Sequence, residues 1–279
     1  MSGARSVATC VRGVSVSPER FDRIAVFGGV YSNHVALEAV LADARRRDVD
    51  AVFCLGDLGA FGPNPDKIFP LLVEPGVRVM QGNYDDSISR GLADCQCGYT
   101  DPRDNYFAKI SYDYTFDHTS DRWKGFLRSL PESIRIELGG YRVLMSHGSP
   151  RKMSEFLWES TAPTHFLDKM VASYDADVVL ATHSGLHWKR ELPSDRHFVN
   201  VGVIGRPAND GSTNVWYSLL DARRGFDVTF IPVDYDHESL ALEMKHEGLP
   251  TEFIDTIRHG WWTTCLEILP SKERKKGRF

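Results

Sequence analysis

Asp57, Asn83, His147 and His183 are the residues of this chain whose types and surroundings could do chemistry together. A carboxylate, an amide oxygen and two imidazoles suit a borderline divalent ion such as Mn, Fe or Zn, with no thiolate required. Each of the four closes a short apolar run beside glycine or another small residue. Gly56-Asp57 follows 51–55 (AVFCL), and Gly82-Asn83 follows 77–80 (VRVM). Ser146-His147-Gly148 follows 141–145 (YRVLM), and Thr182-His183 follows 176–180 (ADVVL). Singly, an Asp after a strand is a turn or cap residue and a His is a satisfied polar group. In order, each at a strand end, the four make a constellation.

The runs that carry these residues alternate with helical periods, as where 24–27 (IAVF) turns at Gly28-Gly29 into 35–41 (VALEAVL). Alternation of this kind predicts an α/β layered fold, in which ligands gather beyond the carboxyl ends of strands. A further strand, 198–201 (FVNV), runs into the Gly202 to Pro207 turn. The segments 215–220 (VWYSLL) and 226–231 (FDVTFI), joined by a turn at 221–225, read as an antiparallel pair that extends the sheet. Residues 86–139 break the rhythm, with many Asp, Tyr and Ser and a helical stretch at 123–130, and are read as an inserted helical cap packed by Tyr99, Tyr106, Phe107, Tyr112 and Tyr114. The chain thus divides into an N-terminal tail (1–22), a domain over 23–235 that contains the cap (86–139), and a C-terminal helical segment with a charged, solvated tail (236–279). Gly28-Gly29 does not open a dinucleotide loop, because Val30 and Asn33 stand where GxGxxG needs glycine.

Composition narrows the function. Of the 279 residues 42% are hydrophobic and 25% charged, which is the balance of an ordinary folded chain. Lys plus Arg number 33 against 38 Asp plus Glu, a net charge of −5, so there is no electrostatic footprint for nucleic acid or an anionic membrane. No run approaches the roughly 20 apolar residues of a membrane span, and no signal peptide is visible, so a cytoplasmic location is expected. The five cysteines are odd in number and scattered, which predicts reduced thiols; only Cys95 and Cys97 lie close together.

In order and spacing the strand-end blocks resemble those of the calcineurin-like metallophosphoesterases, in particular the bacterial small phosphodiesterase-like branch, whose blocks read DxH, GDxxxxGxxP, GNHD/E, xHG, GHTH and NxGSVGxP. This chain shows 56–65 (GDLGAFGPNP), 82–85 (GNYD), 146–150 (SHGSP), 182–185 (THSG) and 200–207 (NVGVIGRP). The resemblance implies an α/β fold of the metallophosphoesterase type, a layered β-sandwich flanked by helices. It also implies that Asp57 is the bridging carboxylate and that Asn83, His147 and His183 are the ligands of the second metal. Three ligands of the first metal are missing: Gly29 and Tyr31 replace the DxH pair, and Gly185 replaces the second His of GHTH. Tyr84 stands where the family has the histidine that stabilises or protonates the leaving group, and a phenol is a poor proton shuttle at neutral pH. Tyr31, His34 and His187 are candidate replacement ligands or substrate contacts, and Arg206 is placed to neutralise phosphoryl charge. The expectation is a metal-dependent hydrolase of a small phosphorylated substrate, an ester or an anhydride, with one divalent ion (Mn, Fe or Zn) per chain. Two alternatives stand beside it: a catalytically silent binding protein, and non-hydrolytic iron-dependent chemistry.

Overall fold

Chain order sets out two sheets and their helices. The computed structural model describes residues 18–275. It opens with strands β1 (Glu19–Phe21) and β2 (Arg23–Phe27), helix α1 (His34–Arg45), β3 (Ala51–Cys54), α2 (Phe69–Leu72) and β4 (Val77–Val79). Three helices follow, α3 (Asn83–Arg90), α4 (Pro102–His118) and α5 (Asp121–Ser129), then β5 (Ser133–Leu138), β6 (Tyr141–Ser146), α6 (Thr164–Ser173), β7 (Val178–Ala181), β8 (His187–Leu192) and β9 (Arg196–Val201). The hairpin of β10 (Val215–Asp221) and β11 (Asp227–Val233) leads to α7 (His237–His246), α8 (Thr251–His259) and α9 (Ser271–Lys275).

One sheet runs β11-β10-β2-β3-β4 and the other β1-β5-β6-β7-β9-β8. The strands that deliver the candidate ligands are parallel to their neighbours, β2 with β3 and β3 with β4 in one sheet, β6 with β7 and β7 with β9 in the other. Their carboxyl ends therefore open at one edge of each sheet. The short runs are apolar throughout because both faces are covered. Ile24 and Val26 of β2 face the other sheet with Phe53, Val143, Met145, Val178 and Leu180, while Ala25 and Phe27 turn outward to Leu37, Val40 and Leu41 of α1. On the outer face of the second sheet, Leu144 and Val179 meet Leu167 and Val171 of α6. Phe53 is fully buried between the sheets, and its truncation to alanine would cost about 3–5 kcal/mol.

The α/β sandwich of two sheets flanked by helices is the architecture the sequence implies, and β10–β11 is the expected antiparallel hairpin, with β10 beside β2. Three boundaries differ. Residues 19–21, assigned to the tail, pair with β5 as a parallel edge strand. The stretch 86–139 ends in β5, a strand of the six-stranded sheet, so only α4 and α5 are truly additional. The tail's first turn is the helix α9, held by the buried Glu273, which accepts from the backbone N–H and hydroxyl of Ser160 at 2.8 and 2.5 Å; residues 276–279 lie outside the described part. The expectation of reduced thiols is also corrected: Cys95 and Cys97 form a disulfide, while Cys54 and Cys265 are free and buried. Gln96 between them takes a left-handed φ of 51°, which turns the chain back so that the two Cα atoms lie 5.2 Å apart, within disulfide range. No helix among the described residues is long and apolar enough to cross a membrane.

Candidate metal centre

Asp57 leaves the turn after β3 with φ of 57°, a left-handed conformation that short polar side chains tolerate best. Its two oxygens are used separately. Oδ1 accepts from the backbone N–H of Tyr84 at 3.1 Å, and Oδ2 lies 3.1 Å from His147 Nε2. His147 Nε2 is in turn 3.2 Å from His183 Nδ1. Asp57, His147 and His183 are all buried, and one donor atom from each lies within 4.8 Å of the other two. Asn83, the first residue of α3, adds a carbonyl oxygen, Oδ1, that is buried with no hydrogen-bond partner. Among the described residues three of the predicted four, Asp57, His147 and His183, converge here, and Asn83 is the residue before Tyr84, whose backbone N–H reaches Asp57.

The second atoms of these groups decide what the first ones offer. His147 Nδ1 donates to the carbonyl of Leu55 at 2.7 Å, and His183 Nε2 donates to the carbonyl of Cys97 at 3.1 Å. Since carbonyls only accept, each imidazole carries its N–H outward and turns its other nitrogen inward, the arrangement that orients metal-ligating histidines. The amide nitrogen of Asn83 donates to the carbonyl of Cys95 at 2.8 Å, which leaves its buried Oδ1 as the unpartnered atom of the amide. Burial alone would raise the pKa of Asp57 and lower that of His147, but their mutual attraction wins, holding the carboxyl below and the imidazole above its ordinary range. Burial, then the charge of His147, pushes His183 down to about 3. A carboxylate and two imidazoles around one point, with an unpaired amide oxygen in the same stretch as Tyr84, are a donor set that fits a divalent cation.

Asp85 supports the centre from beneath. Its carboxylate accepts from the backbone N–H groups of Asp57, Leu58 and Gly82 at 2.8, 3.1 and 2.7 Å, tying the Asp57 turn to the start of α3. Burial and the nearby Asp57 charge push its pKa up to about 7 against those donors. Asp85→Ala leaves three buried N–H groups unsatisfied, so a loss of about 3 kcal/mol or more in unfolding free energy is expected by denaturant titration. A loss under about 1 kcal/mol would show that water takes over these bonds.

The remaining candidates go elsewhere. The Tyr84 hydroxyl points away from the cluster, donating to Ser111 Oγ at 3.0 Å and lying 3.4 Å from the Ala108 carbonyl of α4; only its backbone N–H reaches Asp57. His34 sits at the start of α1, 3.6 Å from Glu243. His187 opens β8 with its ring against Trp216 and Phe230. Tyr31 is buried against Phe61, and burial raises its hydroxyl pKa while Arg206 pulls the other way. Arg206 is 6% exposed and forms no ion pair among the described residues; its Nε is unpartnered. The guanidinium lies 3.4 Å over the ring of Trp262, with the rings of Phe61 and Tyr31 at 5.1 and 5.7 Å. Its Nη2 would stand 3.5 Å from a Cβ on Gly185, two residues past His183. Sequence reasoning missed Trp262 and the carbonyls of Cys95 and Cys97. The close pair of cysteines was the one signal available for the latter.

Two facing sheets that bring an Asp and two His together beyond parallel strand ends make a candidate metal site on an α/β sandwich. The chain belongs to the calcineurin-like phosphoesterase superfamily, whose domain profile matches residues 23–224; members of this superfamily bind divalent metals. An uncharacterized protein of Methanocaldococcus jannaschii is 28% identical over 241 residues, spanning 81% of this chain and 93% of that protein. A metallophosphoesterase from Sphaerobacter thermophilus has a TM-score of 0.65 at 25% identity, over 86% of this chain and 99% of its own. A hypothetical protein from Pyrococcus horikoshii has a TM-score of 0.72 at 22% identity, over 86% and 99%, a likeness of fold.

Proposed function

We propose that this chain hydrolyses phosphate esters or anhydrides with one divalent ion held by Asp57, Asn83, His147 and His183, working beside the fixed cation of Arg206. The observation that carries this reading is the convergence of Asp57 Oδ2, His147 Nε2 and His183 Nδ1; the buried, unpaired Oδ1 of Asn83 supports it. When bound, a divalent ion here would polarise a phosphoryl oxygen and lower the pKa of water. The chain's own groups do the rest. The carbonyls of Leu55, Cys95 and Cys97 fix the ligand orientations, and the low pKa of His183 keeps its imidazole neutral. Arg206, buried without a counter-ion, offers N–H donors to the phosphoryl oxygens, and the Trp262 face holds its plane.

No group in this arrangement protonates the leaving group, because the Tyr84 hydroxyl is engaged with α4. Rates are therefore expected to depend steeply on leaving-group acidity, with alkyl esters slower than nitrophenyl esters by roughly 10²–10⁴, the usual contribution of a general acid. Tyr84→Phe should leave that ratio unchanged. Equal rates, with chemistry limiting, would show that another residue donates the proton. Arg206→Gln is expected to lower kcat/KM by roughly 10²–10³ while bound metal stays constant; a loss of metal instead would make Arg206 a structural support. The silent-binding reading is favoured by one observation, that Tyr31, Val203 and Trp262 fill the space around positions 29 and 185. Binding of inorganic phosphate without turnover of any ester or anhydride, in the metal-loaded chain, would select it.

A further inference from the structure

The Cys95-Gln96-Cys97 turn lends its carbonyls to two of the four candidate ligands, but the disulfide that closes it has no part in the hydrolysis proposed above. Both cysteines are buried, at 5% and 6% exposure, and joined by a disulfide. The Cys95 carbonyl accepts one hydrogen of the Asn83 amide at 2.8 Å, and Cys97 Sγ lies 3.3 Å from the same nitrogen. The Cys97 carbonyl accepts from His183 Nε2 at 3.1 Å. These bonds decide which atoms face the centre. With Nδ2 engaged, Asn83 presents Oδ1, and with Nε2 carrying the hydrogen, His183 presents the lone pair of Nδ1. A single three-residue turn therefore sets both the amide orientation and the imidazole tautomer, and its shape depends on the covalent link across Gln96, held at a left-handed φ of 51°.

We infer that the Cys95–Cys97 pair is a redox-controlled positioning element of the metal centre: the disulfide holds Asn83 and His183 in their ligating orientation, and its reduction lowers metal affinity. The inference rests on the assignment of Asp57, Asn83, His147 and His183 as the metal site. The reductant is a dithiol. Its thiolate attacks one sulfur, the S–S bond breaks, a second exchange releases the donor as a disulfide, and the two electrons and two protons it gives up remain on Cys95 and Cys97 as thiols. The reduced turn keeps its carbonyls but loses the link that fixes their spacing, so both ligands gain orientations that aim away from the centre.

The test is Mn²⁺ binding to the metal-free full-length chain, since Mn²⁺ is a hard probe that thiols hold weakly. Titration calorimetry would compare the air-oxidised chain, the same chain reduced and desalted, and Cys95→Ala/Cys97→Ala in both conditions. The oxidised chain is expected to bind Mn²⁺ roughly 10–100-fold more tightly than the reduced one, the range found when outer-shell partners of metal ligands are removed. The double variant, which retains both carbonyls, should match the reduced chain and ignore the reductant. Equal affinity in the two wild-type states overturns the inference without any reliance on the variant. A reductant response that persists in the double variant overturns it too, because the effect then lies elsewhere. Binding that survives His147→Ala, or no binding in any state, removes the metal-site assignment itself and this inference with it.

Discussion

His147→Ala is expected to come out of purification without metal, and the unaltered chain is expected to carry the one divalent ion proposed above. The imidazole lies between the other two donors, with its Nε2 3.1 Å from Asp57 Oδ2 and 3.2 Å from His183 Nδ1. Its removal takes away a ligand and also leaves the Asp57 carboxylate buried with no nearby cation. Outer-shell partners alone change metal affinity by roughly 10–100-fold, and loss of a direct ligand should exceed the upper figure. No other imidazole can step in, because His34 is tied to Glu243 and His187 lies against Trp216 and Phe230. Elemental analysis by mass spectrometry decides the matter, with circular dichroism to confirm that the variant is folded. Two ions per unaltered chain would return Tyr31 to the list of ligands. None, even after exposure to Mn, Fe or Zn, would leave the binding-protein reading.

Restoring the family's lost ligands, by contrast, should not restore a second ion. Gly29→Asp, Tyr31→His and Gly185→His together rebuild the motif on paper, but positions 29 and 185 have φ of 44° and 80°. Side chains there are strained by about 1–2 kcal/mol each. A Cβ at position 29 would overlap the Val203 side chain, and one at 185 would stand 3.1 Å from Trp262. Overpacking of this kind adds about 1–3 kcal/mol. The triple variant should therefore lose about 3–7 kcal/mol of stability, seen calorimetrically as a fall in Tm of roughly 6 °C or more. Stoichiometric uptake of a second ion by a variant of unchanged Tm would show that the loops can rearrange at little cost.

How much of this was legible in the sequence follows from the range of each interaction. The candidate cluster was legible because strand, glycine and polar residue are consecutive, and parallel strands bring their carboxyl ends to one edge. Asp57, Asn83, His147 and His183 needed no knowledge of side-chain direction. Tyr84 did. Its place in the 82–85 block gave it a catalytic expectation, yet the first turn of α3 carries its ring toward Ser111 and Tyr112, which belong to a helix whose packing no local pattern encodes. Arg206 could be noticed beside a proline, but the face it rests on comes from Trp262, far along the chain. Backbone carbonyls leave no trace in residue types, so the support that Cys95 and Cys97 give Asn83 and His183 was invisible. The boundaries of β1 and β5 were missed because β1 is a three-residue edge strand and both strands carry mixed burial with a weak alternation.

The indole under Arg206 belongs to a part of the chain that lies beyond residue 224, where the superfamily profile stops. All four candidate ligands lie inside the profile. A fragment cut at that boundary would keep its ligands and lose the surface on which its buried arginine rests, so the catalogued domain is smaller than the working unit. The two halves of the centre also answer to separate stretches of sequence. A substitution near Trp262 is thus expected to change the setting of the guanidinium without touching any of the four candidate ligands.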